Sequence, residues 1–77
     1  MRKIEELLQE LHPDYDYGAS EDFQSDGLLD SFDLQRLVAA MEQEYDVRLA
    51  GTDLLPQNFT NVETIRELLR GYGIECV

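Results

Sequence analysis

"DGLLDSFDLQRLVAAMEQEY", residues 26–45, contains the change of period that decides the architecture. Up to Leu29 the apolar residues follow no helical rule. From Asp30 onward Leu34, Leu37, Val38, Met41 and Tyr45 recur at intervals of three and four, the stripe of one buried helix face. Asp30 has the side chain of a good N-cap, so the spacing predicts a helix over about residues 31–45. Ser31 stands just inside that start, between the cap and the large apolar Phe32. Its hydroxyl either helps to cap the helix or is held out for another molecule to reach.

The same reading extends outward to both ends of the chain. Ile4, Leu7, Leu8 and Leu11 form a single apolar stripe that His12-Pro13 brings to an end, which predicts a first helix over about residues 2–11. Residues 13–29 are rich in Asp, Gly, Ser and Tyr and lack a helical period. They read as a long ordered loop pinned by Phe23, Leu28 and Leu29. After "DVRLAGTDLL" a short turn of helix is expected near Asp53–Gln57, limited by Pro56. Thr60 and Glu63 have capping-box spacing before a last helix that carries Val62, Ile65, Leu68 and Leu69 inward until Gly71 or Gly73 stops it. The expected fold is all-α: a small four-helix bundle, three main helices and one short one, in a single domain over residues 1–77.

Composition bounds the function. A chain of 77 residues buries only roughly 60–65% of the surface its unfolded form exposes, which argues against a deep catalytic cleft. Seventeen acidic residues against six basic ones give a net charge of −11, which repels nucleic acid and anionic membranes and favours partners with basic patches. The start "MRKIEELLQELH" alternates charge with leucine and has no continuous apolar core, so it does not read as a signal peptide. No apolar run is long enough to span a bilayer. The expectation is a cytoplasmic monomer that neither inserts into membranes nor binds nucleic acid.

Several motifs fall short of a site. "DYDYGASEDFQS", from Asp14, begins like a calcium loop, but Gly18 comes one position early and Ser25 stands where a bidentate glutamate should close it. Asn58-Phe59-Thr60 fits a glycosylation sequon that a cytoplasmic chain would never present to the machinery. His12 and Cys76 are single and far apart in sequence, which makes neither a metal site nor a nucleophile pair; His12 reads as a helix-end residue favoured by the dipole. No enzyme and no metal site emerge.

Ser31 is what remains. A hydroxyl in the first turn of a helix faces unpaired N–H groups and the positive end of the helix dipole, surroundings suited to a phosphate ester. Phe32 lies off the buried stripe and is either a contact for a visiting enzyme or a side chain packed on Leu28 or Leu29.

At these residues the chain resembles the acyl carrier and peptidyl carrier protein family. "DGLLDSFDLQRLVAAMEQEYDVRL" matches its most characteristic segment, in which an Asp-Ser-Leu or Asp-Ser-Phe triplet opens the second helix; here the triplet is Asp30, Ser31 and Phe32. "MEQEYDVRL" looks like the family's helix-two end, and "PQNFTNVETIRELL" is similar to its third-to-fourth helix segment. The resemblance implies that Ser31 receives a 4′-phosphopantetheine arm from coenzyme A, attached by a phosphopantetheinyl transferase that brings Mg²⁺. Asp30 would present the serine. Phe32 and the outward face of helix two, Asp33, Gln35, Arg36, Ala39 and Glu42, would be read by partners. These are the transferase, an adenylating or acyl-loading enzyme, and a downstream acyl- or aminoacyl-transferase. The carrier would hold its load as a thioester and catalyse nothing itself.

Gln35 and Arg36 interrupt the acidic face that fatty-acid-synthesis carriers present after the serine. "GLLDSF" looks more like stand-alone carriers of amino acids, such as the D-alanyl carriers of cell-wall modification. An aminoacyl or specialised biosynthetic load is therefore expected over a long fatty chain. A long chain would need a cavity among Met41, Tyr45 and Phe59. The alternative of another class is an arm-free acidic helical module that grips a basic partner through helix two.

Overall fold

The central helix forms where its cap and stripe place it. In the computed structural model, which describes residues 2–77, α2 runs Ser31–Tyr45. Asp30 has extended backbone, and its Oδ1 accepts the Asp33 N–H at 2.8 Å, satisfying a first-turn donor. Leu37, Val38, Met41 and Tyr45 are buried, while Leu34 is half-buried at the edge of the stripe. The helix ends at Asp46, whose left-handed backbone (φ 51°) lets the Asp46 and Val47 N–H groups return to the Glu42 carbonyl.

The first helix begins later than its stripe suggests. α1 spans Ile4–Leu11, not residue 2 onward. No side-chain cap precedes it, because Lys3 offers no acceptor. The start is set instead by distant parts of the chain: the Ile4 N–H donates to the Val77 carbonyl (2.9 Å), and the Arg2 N–H donates to Glu44 Oε2 on α2 (3.1 Å). Arg2 turns back over the helix to pair with Glu10 and, at 3.8 Å, with Glu6. At the other end the His12 N–H closes on the Leu8 carbonyl before Pro13.

Residues 13–29 are ordered, as expected, and more firmly held than three anchors would provide. Phe23 and Leu29 are buried and Leu28 is half-buried, but Tyr17 is also sunk in the core, on an unanticipated 3₁₀ turn, Tyr17–Ala19. Its hydroxyl donates to the Leu28 carbonyl at 3.1 Å. The rings of His12, Tyr15, Tyr17 and Phe23 stack and abut in series, with centroids 4.7, 5.9 and 5.3 Å apart. The Phe23 N–H donates to the Thr60 carbonyl (2.7 Å), while the Leu28 and Leu29 N–H groups close a turn on the Phe23 carbonyl. Gly27, at φ 71°, makes that turn possible.

After Leu49 the expected single turn of helix is two 3₁₀ turns, Gly51–Asp53 and Pro56–Phe59. Pro56 explains the division. It has no N–H to continue a helix and forces Leu55 into extended backbone, so it opens a new turn. α3 runs Val62–Gly71 and is capped by Asn61, not Thr60. The box forms one residue later: Asn61 Oδ1 accepts the Thr64 N–H and Thr64 Oγ1 accepts the Asn61 N–H, both at 3.0 Å. Asn is the stronger cap, and Thr60 spends its hydroxyl on the Gln57 carbonyl. Val62, Ile65 and Leu69 are buried, Leu68 is half-buried, and left-handed Gly73 (φ 82°) turns the chain after Tyr72.

The three α-helices enclose one core, with the Pro56–Phe59 turn in the place of a short fourth helix. No strand occurs among the described residues. None of the helices is long and apolar enough to cross a membrane.

Candidate functional site

Ser31 is the first residue of α2 and is exposed; its hydroxyl makes no hydrogen bond among the described residues. Capping is done by Asp30 alone. The reading of Ser31 as a capping residue therefore has no support in the geometry, and the hydroxyl is left open to solvent. Phe32 is 66% exposed and does not pack away on Leu28 or Leu29. The Arg36 guanidinium stands 6.0 Å from its ring centroid, at the outer limit of a cation–π contact.

Beside Ser31 opens a groove of about 460 Å³, lined by Ser31, Leu34, Gln35, Val38, Leu54 and Pro56. Two of these six residues were not foreseeable from the helix. Leu54 and Pro56 reach the serine only because the two 3₁₀ turns fold their segment back against α2, and no local pattern signals that approach. Leu55, between them, is exposed. Met41, Tyr45 and Phe59 are buried in the core, and none of them lines this groove.

The outward face of α2 differs from expectation at two acidic residues. Gln35, Arg36 and Ala39 are exposed, as anticipated. Asp33 is not: it is only 8% exposed, its Oδ2 lies 3.0 Å from His12 Nε2, and its Oδ1 is 3.8 Å from an Arg36 Nη1. A carboxylate at N3 of a helix is favoured by the dipole, but here the end of α1 lies over it and turns it inward. Glu42 is half-buried, and its Oε2 accepts the Leu49 N–H at 2.9 Å, fastening the return segment to the helix. Both carboxylates are engaged within the fold. His12, in turn, is not an isolated helix-end residue but the neighbour of a buried carboxylate.

Tyr17 completes the support behind the site. Burial, followed by the charge of Asp33, pushes its phenol up to about 12, so it remains a donor at any physiological pH and holds the Leu28 carbonyl just before the cap. Elsewhere, Cys76 is exposed and lies with Lys3, Arg66 and Arg70 around a separate depression. No group of three or more His, Cys, Asp or Glu side chains is placed to hold a metal ion among the described residues.

An exposed, unpaired hydroxyl at a capped helix start, with open space beside it, suits the attachment of a phosphate ester. The family described as the phosphopantetheine attachment site matches residues 2–71, nearly the whole chain. No curated protein and no solved structure matches it.

Proposed function

Because the chain belongs to the phosphopantetheine attachment family of acyl and peptidyl carrier proteins, and so carries a 4′-phosphopantetheine arm, we propose that Ser31 is the residue that bears it. The carrier is not a catalyst; it works with a phosphopantetheinyl transferase and with acyl-handling enzymes. The arm supplies a terminal thiol on which a load is held as a thioester. The observation that carries the reading is the free, exposed Ser31 hydroxyl directly after a cap that does not need it. In the transferase reaction Ser31 Oγ forms a bond to the pantetheine phosphate of coenzyme A, the adenosine bisphosphate half leaves, and the serine proton passes to solvent or enzyme. The chain's own part is presentation. Asp30 fixes the first turn, and Tyr17 holds the strand of loop leading into it. The phosphodiester then sits at the positive end of the α2 dipole.

The load is an aminoacyl or other small biosynthetic group, delivered in the cytoplasm by an adenylating enzyme and removed by a downstream transferase, as in the D-alanyl carriers of cell-wall modification. Two observations support this over a long fatty chain. Met41 and Phe59 are fully buried and do not line the groove beside the serine, and Gln35 and Arg36 break the acidic face there. The arm-free interaction module gives way to the family match.

The test is an intact mass of the purified protein before and after incubation with coenzyme A, Mg²⁺ and a broad-specificity phosphopantetheinyl transferase. The wild type should gain the mass of one phosphopantetheine, and Ser31→Ala should gain nothing while keeping a native circular dichroism spectrum. Modification of the Ser31→Ala variant would move the attachment site elsewhere.

A further inference from the structure

Between buried Leu49 and buried Phe59, residues 50–58 form a strap without a single fully buried side chain. The strap carries Leu54 and Pro56, which wall the groove beside Ser31. Its two 3₁₀ turns are closed by short-range bonds. The Asp53 N–H donates to the Ala50 carbonyl, the Leu54 N–H to the Gly51 carbonyl and the Asn58 side-chain amide to the Asp53 carbonyl, so none of these ties the strap to a helix. Among the described residues, the hydrogen bonds that do so are both made by Tyr72.

Tyr72 is the C-cap of α3, and its ring packs at the edge of the core. Its hydroxyl accepts the Ala50 N–H at 2.9 Å and donates to Asp53 Oδ2 at 2.5 Å, bracketing the Gly51–Asp53 turn from both ends. The bond to Asp53 holds the phenol above its ordinary value, so Tyr72 keeps the proton that it donates. A bond to a carboxylate is stronger than one between neutral groups, and Leu54 follows Asp53 directly. The position of the groove wall therefore depends on a hydroxyl from the far end of α3.

Resting on the reading of Ser31 as the arm-bearing residue, we propose that Tyr72 is a positioning residue for that site, acting through Ala50 and Asp53 to hold the strap closed and keep Leu54 and Pro56 beside the serine. The turn that presents Ser31 is capped independently by Asp30, so releasing the strap leaves that turn intact. What changes is the fraction of molecules in which the wall is in place. A transferase that joins the pantetheine phosphate to Ser31 stands against the residues that share its groove, and it binds the closed form. Its apparent affinity falls in proportion to the closed fraction, while the step within the bound complex keeps its rate.

The probe is a broad-specificity phosphopantetheinyl transferase at saturating coenzyme A, with steady-state rates measured against the concentration of the full-length carrier. Tyr72→Phe, Asp53→Ala, Asp53→Asn and the double variant Tyr72→Phe/Asp53→Ala are compared with the wild type, each checked for native circular dichroism. Tyr72→Phe should raise KM for the carrier about fivefold with kcat within about twofold of the wild type. Asp53→Ala should raise KM severalfold, and Asp53→Asn, which keeps an acceptor for the phenol, should restore most of it. The double variant should be no worse than Tyr72→Phe, because both substitutions remove the same bond. In Tyr72→Phe the Asp53 and Leu54 amides should exchange with water about tenfold faster by NMR, with the Leu37 and Met41 amides unchanged. A KM for Tyr72→Phe within about 1.5-fold of the wild type, even with a lowered melting temperature, would overturn the proposal and leave the bond a purely structural one. Loss in kcat instead of KM, or an Asp53→Asn variant as impaired as Asp53→Ala, would overturn it too. A wild type that accepts no arm would instead remove the reading of Ser31 on which it stands.

Discussion

Tyr45 and Tyr17 are both buried phenols on the same core, yet they stand in opposite positions. Burial raises each to about 12, so both are protonated, but only Tyr17 has an acceptor. The Tyr45 hydroxyl is enclosed without a hydrogen-bond partner among the described residues. An unsatisfied buried donor costs free energy that its removal returns, so Tyr45→Phe should leave stability unchanged or raise it by about 1 kcal/mol. Tyr17→Phe should lower it by about 1 kcal/mol, through the lost bond to Leu28. Urea denaturation of the two variants compares them directly. A marked loss for Tyr45→Phe would show that solvent reaches and satisfies the hydroxyl. The two tyrosines look alike in the sequence, each beside an aspartate, and nothing local separates them. At Ser31, by contrast, the local pattern was informative, because Asp30 just before it already supplies the cap.

At the scale of elements, each helix is only as legible as its ends are local. α2 was readable to the residue because its cap, stripe and C-terminal turn all lie within its own segment. Its weak point is Asp46, a left-handed, negatively charged residue at the negative end of the dipole. Asp46→Gly should raise stability by about 1 kcal/mol, and Asp46→Asn by part of that, since Asn removes the charge but keeps the side-chain penalty. Thermal or urea melts measure both; equal melting of wild type and Asp46→Gly would show that the left-handed cap is not a cost. In the loop, Asp22 accepts the Ser25 N–H and hydroxyl and the Gln24 N–H, which holds its carboxyl below the usual range. With the folded value depressed, its contribution is complete above the unfolded pKa and fades as pH falls through the folded one. Acid titration followed by the Ser25 amide resonance should show that low inflection in the wild type and none in Asp22→Asn. α3 was readable except for a cap one residue along. The start of α1 was not, because Val77 and Glu44 set it from far away in the chain.

For the whole molecule the dominant quantity is charge. It measures 28 × 25 × 19 Å, so at low ionic strength a Debye length of about 10 Å or more leaves its acidic groups repelling one another across the surface. Its ion pairs, among them Arg2 with Glu10 and Arg66 with Glu5 and Glu63, join half-buried arginines to exposed carboxylates and are individually weak. Self-repulsion should therefore outweigh them, and the melting temperature should rise as NaCl goes from about 10 mM to about 0.3 M. A fall would mean that the ion pairs dominate. Net charge, the period of each helix, the Asp30 cap and the Asp30-Ser31-Phe32 triplet were determined by the sequence alone. Each depends on neighbours within a turn or two, where backbone geometry leaves few choices. Tertiary structure decided which charges of α2 reach solvent. Asp33 and Glu42 sit on the same helix as Gln35 and Ala39, and whether a side chain at the edge of the stripe faces solvent depends on what packs over it. The end of α1 covers Asp33, and the Leu49 segment binds Glu42. The fold of the Leu54–Pro56 segment likewise placed apolar surface beside Ser31. Those contacts join residues distant in the chain, and a helical period cannot encode which loop will close against it.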